Sequence, residues 1–135
     1  MKNLLLLVVI TACFAAFSCN TKESERFRLL TTPTWVADSL LANGVDATGP
    51  TGILNIFVGD VKFNTDGTGY FGRFNGTWRF LTAETQLQIV ADSLPIPITA
   101  DIKELTTISL KLTTVFPNPQ DLLHPYNIRM TFRVK

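Results

Sequence analysis

The chain contains 135 residues, of which 46% are hydrophobic and 17% charged, and its formal net charge is +1. This length allows about one domain and excludes a large multidomain enzyme, and the high apolar content with a low net charge excludes an intrinsically disordered chain. The sequence has no basic excess, which argues against a nucleic-acid-binding protein.

Residues 1–18 have the composition of a secretory signal. Fourteen of them are apolar, and Lys2 is their only charged residue. A short basic start, an apolar stretch from Leu4 to Phe17 and small residues before a cleavage site are features of a signal peptide. The stretch is shorter than the about 20 residues that a transmembrane helix needs. The alternative is an uncleaved N-terminal anchor.

Ser18 stands directly before Cys19 at the end of this stretch. A small residue before such a cysteine resembles the lipobox of bacterial lipoproteins, although Ala16 and Phe17 depart from its commonest pattern. The resemblance implies cleavage before Cys19 and acylation of this residue, and two or more acyl chains make a stable membrane anchor. Asn20 is unlike the aspartate that commonly retains lipoproteins in the inner membrane, so we expect a lipid anchor in the outer membrane, on either face. The alternative is a periplasmic protein with Cys19 as a thiol.

The polar stretch at residues 19–28 predicts a flexible tether between the membrane and a domain at residues 29–135. Without residues 1–18, the chain carries 11 basic and 11 acidic residues and retains a single cysteine, Cys19. The expected domain therefore has no disulfide and depends on its core for stability.

Alternation of apolar and polar residues predicts an all-β domain. In the last segment Ile128, Met130, Phe132 and Val134 alternate with polar residues, as in a strand with one buried face. We expect about eight strands, near 34–40, 53–58, 60–64, 68–74, 77–81, 86–91, 97–102 with 105–114, and 126–134.

Turn residues separate these strands. Asp66-Gly67 and Asn75-Gly76 are typical of tight hairpins, and residues 82–85 predict a third turn. The proline-bearing segments 92–97 and 115–125 predict loops. Short strands joined by hairpins indicate an antiparallel up-and-down meander, and closure into a roughly eight-stranded barrel removes its edges.

Five short motifs occur in order along residues 29–135. They are Leu30-Thr31 with Trp35, Phe63 with Asp66-Gly67-Thr68, Gly76-Thr77-Trp78, Leu87 with Ile89, and Ile102 with Leu105, Leu110 and Leu112. The pattern resembles the small lipocalin-like domains of lipoproteins from Gram-negative bacteria. The resemblance implies a barrel that holds an apolar ligand. This sequence departs from larger lipocalins, whose glycine and tryptophan pair lies in the first strand, because Gly76 and Trp78 lie in the middle of the chain.

Several apolar residues are candidates for the barrel interior. An eight-stranded barrel is wide enough either to be filled by side chains or to hold one small ligand. The short domain favours a filled interior, and we expect Trp35 and Trp78 to plug the closed end. The candidate ligand-lining residues are Phe63, Tyr70, Phe74, Ile89, Leu112 and Met130.

Residues for catalysis are sparse. His124 is the only histidine of the sequence and lies in a proline-rich loop, and one histidine supports neither a histidine-rich zinc site nor a catalytic triad. We therefore predict no catalytic residue, no metal site and no cofactor.

Two functions remain open. The first is a lipid-anchored cell-envelope protein that binds a small hydrophobic ligand. The alternative is an envelope protein-interaction module, such as an inhibitor or a complex subunit, that has a filled barrel and contacts its partner through loops 41–52 and 115–125. An enclosed apolar cavity of ligand size would favour the first, and a filled interior the second.

Overall fold

The computed structural model describes residues 22–135, so the expected signal peptide and Cys19 lie outside the described residues. One α-helix, α1 (Glu25–Thr31), precedes the strands, and a 3-10 helix spans Asn55–Phe57. The strands are β1 (Trp35–Ala42), β2 (Val45–Asp46), β3 (Asp60–Phe63), β4 (Thr68–Phe71), β5 (Phe74–Leu81), β6 (Gln86–Ala91), β7 (Ile98–Leu105), β8 (Ser109–Phe116) and β9 (Tyr126–Val134).

The strands form a closed eight-stranded antiparallel barrel with one additional strand. From β3 to β9, each strand pairs with its neighbours in sequence, and β1 pairs with both β3 and β9. The closing ladder between β1 and β9 runs from Trp35 opposite Val134 to Ala42 opposite Ile128. The short strand β2 pairs with the end of β1 alone. The predicted up-and-down barrel is therefore confirmed.

The barrel interior is the hydrophobic core. In β6, for example, Leu87, Ile89 and Ala91 are buried while Val90 is exposed. This alternation arises because successive side chains of a strand point to opposite faces of the sheet. The polar faces of the strands form the outer surface.

The two ends of the barrel differ in what covers them. We call the end that carries α1 and the turns 64–67, 82–85 and 106–108 the proximal end. The opposite end, with segment 43–59 and the turns 72–73, 92–97 and 117–125, is the distal end. The N-terminal side of the domain therefore belongs to the proximal end.

The prediction of a strand at 53–58 is wrong. The segment instead contains the 3-10 helix, in which Phe57 N–H donates to Leu54 O over 3.0 Å. The Asn55 amide also donates to Thr48 O and Gly49 O. These local bonds satisfy the backbone without a neighbouring strand, and they bring Leu54 and Phe57 into the core.

The predicted turn at Asn75-Gly76 is also wrong, because both residues lie inside β5. The chain turns earlier, at Gly72, whose φ is +59°. At Gly76 a Cβ atom would lie 2.1 Å from Val90 O, so glycine is required there for the close approach of β6. Gly76 is needed for packing between neighbouring strands, and the sequence alone does not distinguish such a glycine from one that is needed for a turn.

The expected flexible tether at residues 19–28 differs from the structure over its second half. Helix α1 begins at Glu25, and the Ser24 hydroxyl caps it by accepting from Phe27 N–H. Ser24 followed by an acidic residue in the first turn is typical of a helix start. The helix has seven residues, however, which is too short for apolar periodicity to be recognised in the sequence. Residues 25–28 therefore belong to the folded domain.

The remaining boundaries follow the expectation more closely. Segment 97–114 forms two strands, β7 and β8, joined by a turn in which Thr106 N–H donates to Ser109 O. The hairpin turn at Asp66-Gly67 is confirmed, with Gly67 at φ +86°. The proline-bearing loop is confirmed over residues 117–125, since β8 continues to Phe116.

We expect Phe71→Ala to lower the free energy of unfolding by about 3–5 kcal/mol, because a fully buried ring would leave a cavity. Phe71 has 0% exposure and contacts Phe57 and Phe63 edge to face. Urea unfolding followed by tryptophan fluorescence measures the change. Ile108→Ala, at a side chain that is 71% exposed, is the matched control and should stay within about 0.5 kcal/mol of the parent. Equal effects of the two substitutions would contradict the role given to Phe71.

Candidate functional site

Four of the six candidate ligand-lining residues lie in the barrel interior. Phe63, Ile89, Leu112 and Met130 are each 1% exposed and belong to one core cluster. They point inward from β3, β6, β8 and β9. The structure thus brings these four together, but as members of a continuous core.

The other two candidates are placed differently. Tyr70 lies between the buried residues Gly69 and Phe71 and opposite Lys62 in the neighbouring strand, so it is on the outer face of the barrel. Phe74 is half-buried at the start of β5, with the Arg73 guanidinium 5.2 Å from its ring centroid. The predicted strand runs on to Phe74, whereas the chain turns at Gly72, so the sequence pattern did not place Gly69 and Phe71 on the inner face.

An aromatic column fills the interior from the proximal to the distal end. We define it as Phe27, Trp78, Phe63, Phe71 and Phe57, which contact one another in this order. Successive ring centroids are 5.7, 5.6, 5.6 and 6.3 Å apart. The column begins in α1, passes through three strands and ends in the 3-10 helix. Together with the other buried residues of the core cluster, these rings fill the barrel interior.

Both tryptophans lie where α1 closes the proximal end, as expected for plugs. Trp35 is 0% exposed, and its indole N–H donates to Leu30 O over 3.0 Å. Trp78 donates to Asn64 O over 2.9 Å. Each indole therefore buries its apolar ring and satisfies its single donor.

The interior side chains near the distal end leave a cavity of about 10 Å³, which accommodates about one water molecule. Ligand pockets usually measure about 300–1,000 Å³. The cavity is lined by Ile53, Leu54, Leu94, Ile98, Thr114, Phe116 and Ile128. In the described part of the chain, no buried side-chain nitrogen or oxygen lacks a hydrogen-bond partner. Among the described residues, this cavity is far smaller than a ligand pocket, and the buried polar side-chain atoms are all hydrogen-bonded.

A larger depression of about 530 Å³ lies on the outer face of β7, β8 and β9. Polar side chains such as Thr99, Asp101 and Arg129 line it. It opens to solvent and does not enter the core. The depression forms where Ile98–Ala100 extend beyond the ladder that joins β7 to β8, and the Thr114 hydroxyl bridges the strands by donating to Thr99 O over 2.6 Å.

Three polar contacts fasten α1 to the proximal end. The Lys62 ammonium donates to the carbonyls of Thr31, Thr32 and Pro33 at 2.6, 2.9 and 3.0 Å. A cation at this end of a helix satisfies carbonyls that the helix leaves unpaired and interacts favourably with its dipole. We call this arrangement the Lys62 clasp. Sequence reasoning missed it, because nothing local marks Lys62 as different from other outward-facing strand residues.

A strained turn supports the start of α1. Thr82, Ala83 and Glu84 all have positive φ values, between 48° and 64°, a conformation that costs free energy in residues other than glycine. Glu84 accepts from the Ser24 hydroxyl at 2.7 Å through its carboxylate and from the Arg26 guanidinium at 2.9 Å through its backbone carbonyl. The turn thereby holds the N-terminal end of α1, and the Lys62 clasp holds its C-terminal end.

The distal end exposes apolar side chains. Leu122 is 77% exposed, Leu123 is 87% exposed and Val45 is 68% exposed. The turn after β1 lies beside the start of β9, since Asn43 N–H donates to Asn127 O over 2.9 Å and Asn127 N–H donates to Asn43 Oδ1 over 2.8 Å. Loops 41–52 and 115–125, which the interaction hypothesis names, therefore lie at the same end of the barrel.

Loop 117–125 is ordered by its polar residues. Asp121 accepts from Leu123 N–H at 3.1 Å through its carboxylate and from His124 N–H at 3.1 Å through its carbonyl. Its other carboxylate oxygen lies 2.7 Å from His124 Nδ1. Asn118 bonds in the same way to Gln120 N–H and Asp121 N–H. The His124 side chain is 80% exposed.

Two aspartates accept hydrogen bonds within turns of the chain. Hydrogen bonds from the hydroxyl and backbone N–H of Thr48 hold the pKa of Asp46 below its usual range. The equivalent bonds from Thr68 lower the pKa of Asp66. Within residues 22–135, no group of three or more histidine, cysteine, aspartate or glutamate residues is arranged to hold a metal ion.

Comparisons with known proteins add no family assignment: neither a scan against protein-family models nor a search of curated proteins found a match to the chain. Among the described residues, no helix combines the length and apolar character needed to cross a membrane.

We expect Lys62→Met to lower the free energy of unfolding by about 1–3 kcal/mol, because the Lys62 clasp is lost and helix-end carbonyls lose their donor. Amide hydrogen exchange should accelerate in residues 27–32 more than in β6. Lys103→Met is the control, since the Lys103 side chain is 57% exposed and pairs only with Asp101. Unchanged exchange in α1 would contradict the role of the clasp.

Proposed function

We propose that the chain is a lipid-anchored cell-envelope protein whose barrel serves as a protein-interaction module. The observation that carries this proposal is the filled interior, in which the aromatic column runs from α1 to the 3-10 helix and the cavity beside it measures about 10 Å³. A barrel without internal space would bind a partner through its outer surface and its loops.

The distribution of exposed apolar residues supports the same proposal. Leu122, Leu123 and Val45 all lie in the two loop regions at the distal end. Exposed leucines that cluster on a folded domain are typical of interaction surfaces. An inhibitor or a subunit of an envelope complex would use such an end to contact its partner.

The lipid anchor rests on the sequence around Cys19. Ser18-Cys19 at the end of an apolar stretch resembles a lipobox, and only four residues separate Cys19 from the helix cap at Ser24. Acyl chains on Cys19 would hold the domain at a membrane. With the Lys62 clasp, this short connection would place the proximal end next to the lipid and the distal end away from it.

We expect purified, delipidated protein to show no saturable binding of a fluorescent fatty acid, because the aromatic column leaves no space for an acyl chain. A titration followed by probe fluorescence, with displacement by unlabelled oleate, measures this. Saturable, displaceable binding would return the small hydrophobic ligand to first place. A probe-independent check is thermal unfolding, where bound ligand would raise the midpoint temperature.

We expect intact-mass spectrometry of protein extracted from membranes to show Cys19 as the N-terminal residue carrying two or three acyl chains. Cys19→Ser should move the protein into the soluble fraction, because the thiol that bears the chains is removed. Cys13→Ser is the control and should stay in the membrane fraction. An unmodified Cys19 thiol in the mature protein would refute the anchor.

A further inference from the structure

We infer that Leu122 and Leu123 are the anchor through which the barrel holds a partner protein, and that this partner presents an apolar cleft edged by lysine or arginine side chains. The inference rests on the proposed function, and it adds the contact residues and the chemical class of the partner surface.

The first support is the contrast within loop 117–125 between polar and apolar side chains. Leu122 and Leu123 project into solvent at 77% and 87% exposure, beside Asp121, whose side chain is 48% exposed and accepts from Leu123 N–H. Asn118 accepts from Gln120 N–H in the same way. The loop thus presents two large apolar side chains to water, while Asn118 and Asp121 fix its backbone.

The second support is the rigidity that these bonds give the loop. The loop has four hydrogen bonds of its own at 3.0 to 3.1 Å and the 2.7 Å contact between Asp121 and His124. Pro119 and Pro125 restrict the backbone on either side. A loop that is ordered before binding loses little conformational entropy on binding, so the hydrophobic gain from burying both leucines is retained.

The third support is the charge of the distal end. Its loops and turns contain Asp46, Asp92 and Asp121 but one permanent cation, Arg73. Thr48 keeps Asp46 ionised through two hydrogen bonds. Complementary charge steers association and suppresses wrong partners. Three carboxylates against one arginine at the end that carries the exposed leucines therefore favour a partner with cations at the edge of its apolar cleft.

The same charges disfavour two other occupants. Two copies of this chain that meet tip to tip would bring like carboxylates together. A lipid surface rich in anionic headgroups would repel the distal end, and the loops offer one arginine to attract it. The Lys62 clasp also binds α1 at the opposite end of the barrel, so an N-terminal membrane anchor leaves Leu122 and Leu123 pointing away from its own membrane.

Site-specific photocrosslinking in intact cells that make the full-length protein tests the inference. The photoreactive residue p-benzoylphenylalanine replaces Leu122, Leu123, Val45 or, at the proximal end, Ile108. Ile108 is a matched control because it is apolar, 71% exposed and in a turn. We expect one discrete protein adduct from positions 122 and 123, with a yield at least about tenfold lower from position 108. Mass spectrometry of the adduct should find lysine or arginine beside apolar residues in the crosslinked partner peptide.

Substitutions at the tip provide the second arm of the experiment. With the crosslinker at position 45, we expect Leu122→Ser together with Leu123→Ser to reduce the adduct at least about tenfold, as the loss of a binding hot spot does. Asp46→Asn retains the turn with Thr48 and should reduce the adduct less, and only at low salt, because rim charges are screened. Ile108→Ser should leave the yield unchanged. Circular dichroism of each purified variant verifies that the barrel is folded.

The outcomes separate the inference from the proposed function. A protein adduct from position 45 that is insensitive to both leucines, or one whose partner peptide is acidic, overturns the inference and leaves the interaction module standing. An adduct with twice the mass of the chain, as expected for two crosslinked copies, or an adduct with lipid also overturns the inference. If positions 45, 122 and 123 all yield no protein adduct, the inference and the proposed function both fail.

Discussion

The aromatic column is the interaction on which the rest of this structure depends. A barrel of eight strands encloses a volume that must be filled by side chains or left for a ligand. Here Phe63, Phe71 and Trp78 occupy it from the strands, and Phe27 and Phe57 complete the column from either end. Because both end pieces are tied to the same rings, the helix, the barrel and the distal segment form one core.

This arrangement explains how a chain without a disulfide in its described domain closes both ends of a barrel. At the proximal end, indole and ammonium donors satisfy the carbonyls of α1, through Trp35 and the Lys62 clasp. At the distal end, the 3-10 helix satisfies its backbone locally and inserts Leu54 and Phe57. Recognition is thereby confined to the outer surface and to the loops that protrude beyond the plugs.

The alternation of apolar and polar residues predicted strands that have one buried face. Alternation alone predicted strand β9, with Ile128, Met130 and Phe132 on one face, and turn residues predicted the Asp66-Gly67 hairpin. The roles of residues that contact distant parts of the chain could not be predicted in this way. Gly76 resembles a turn glycine until Val90 O lies beside it, and Lys62 acquires its role from carbonyls about 30 positions away. In the distal loop, the adjacent leucines at 122 and 123 were visible in the sequence, but their exposure depends on the Asn118 and Asp121 bonds.

The closing ladder between β1 and β9 has a consequence for biosynthesis. Trp35 pairs with Val134, so the barrel cannot close before nearly the whole chain has been made. Contacts between residues so distant in sequence fold slowly, because loop-closure entropy is lost before the contacts form. While the C-terminus is still on the ribosome, β1 and β8 lack β9, the strand that pairs with both. Until β9 emerges, the unpaired backbone groups of β1 and β8 are open to pairing with another chain.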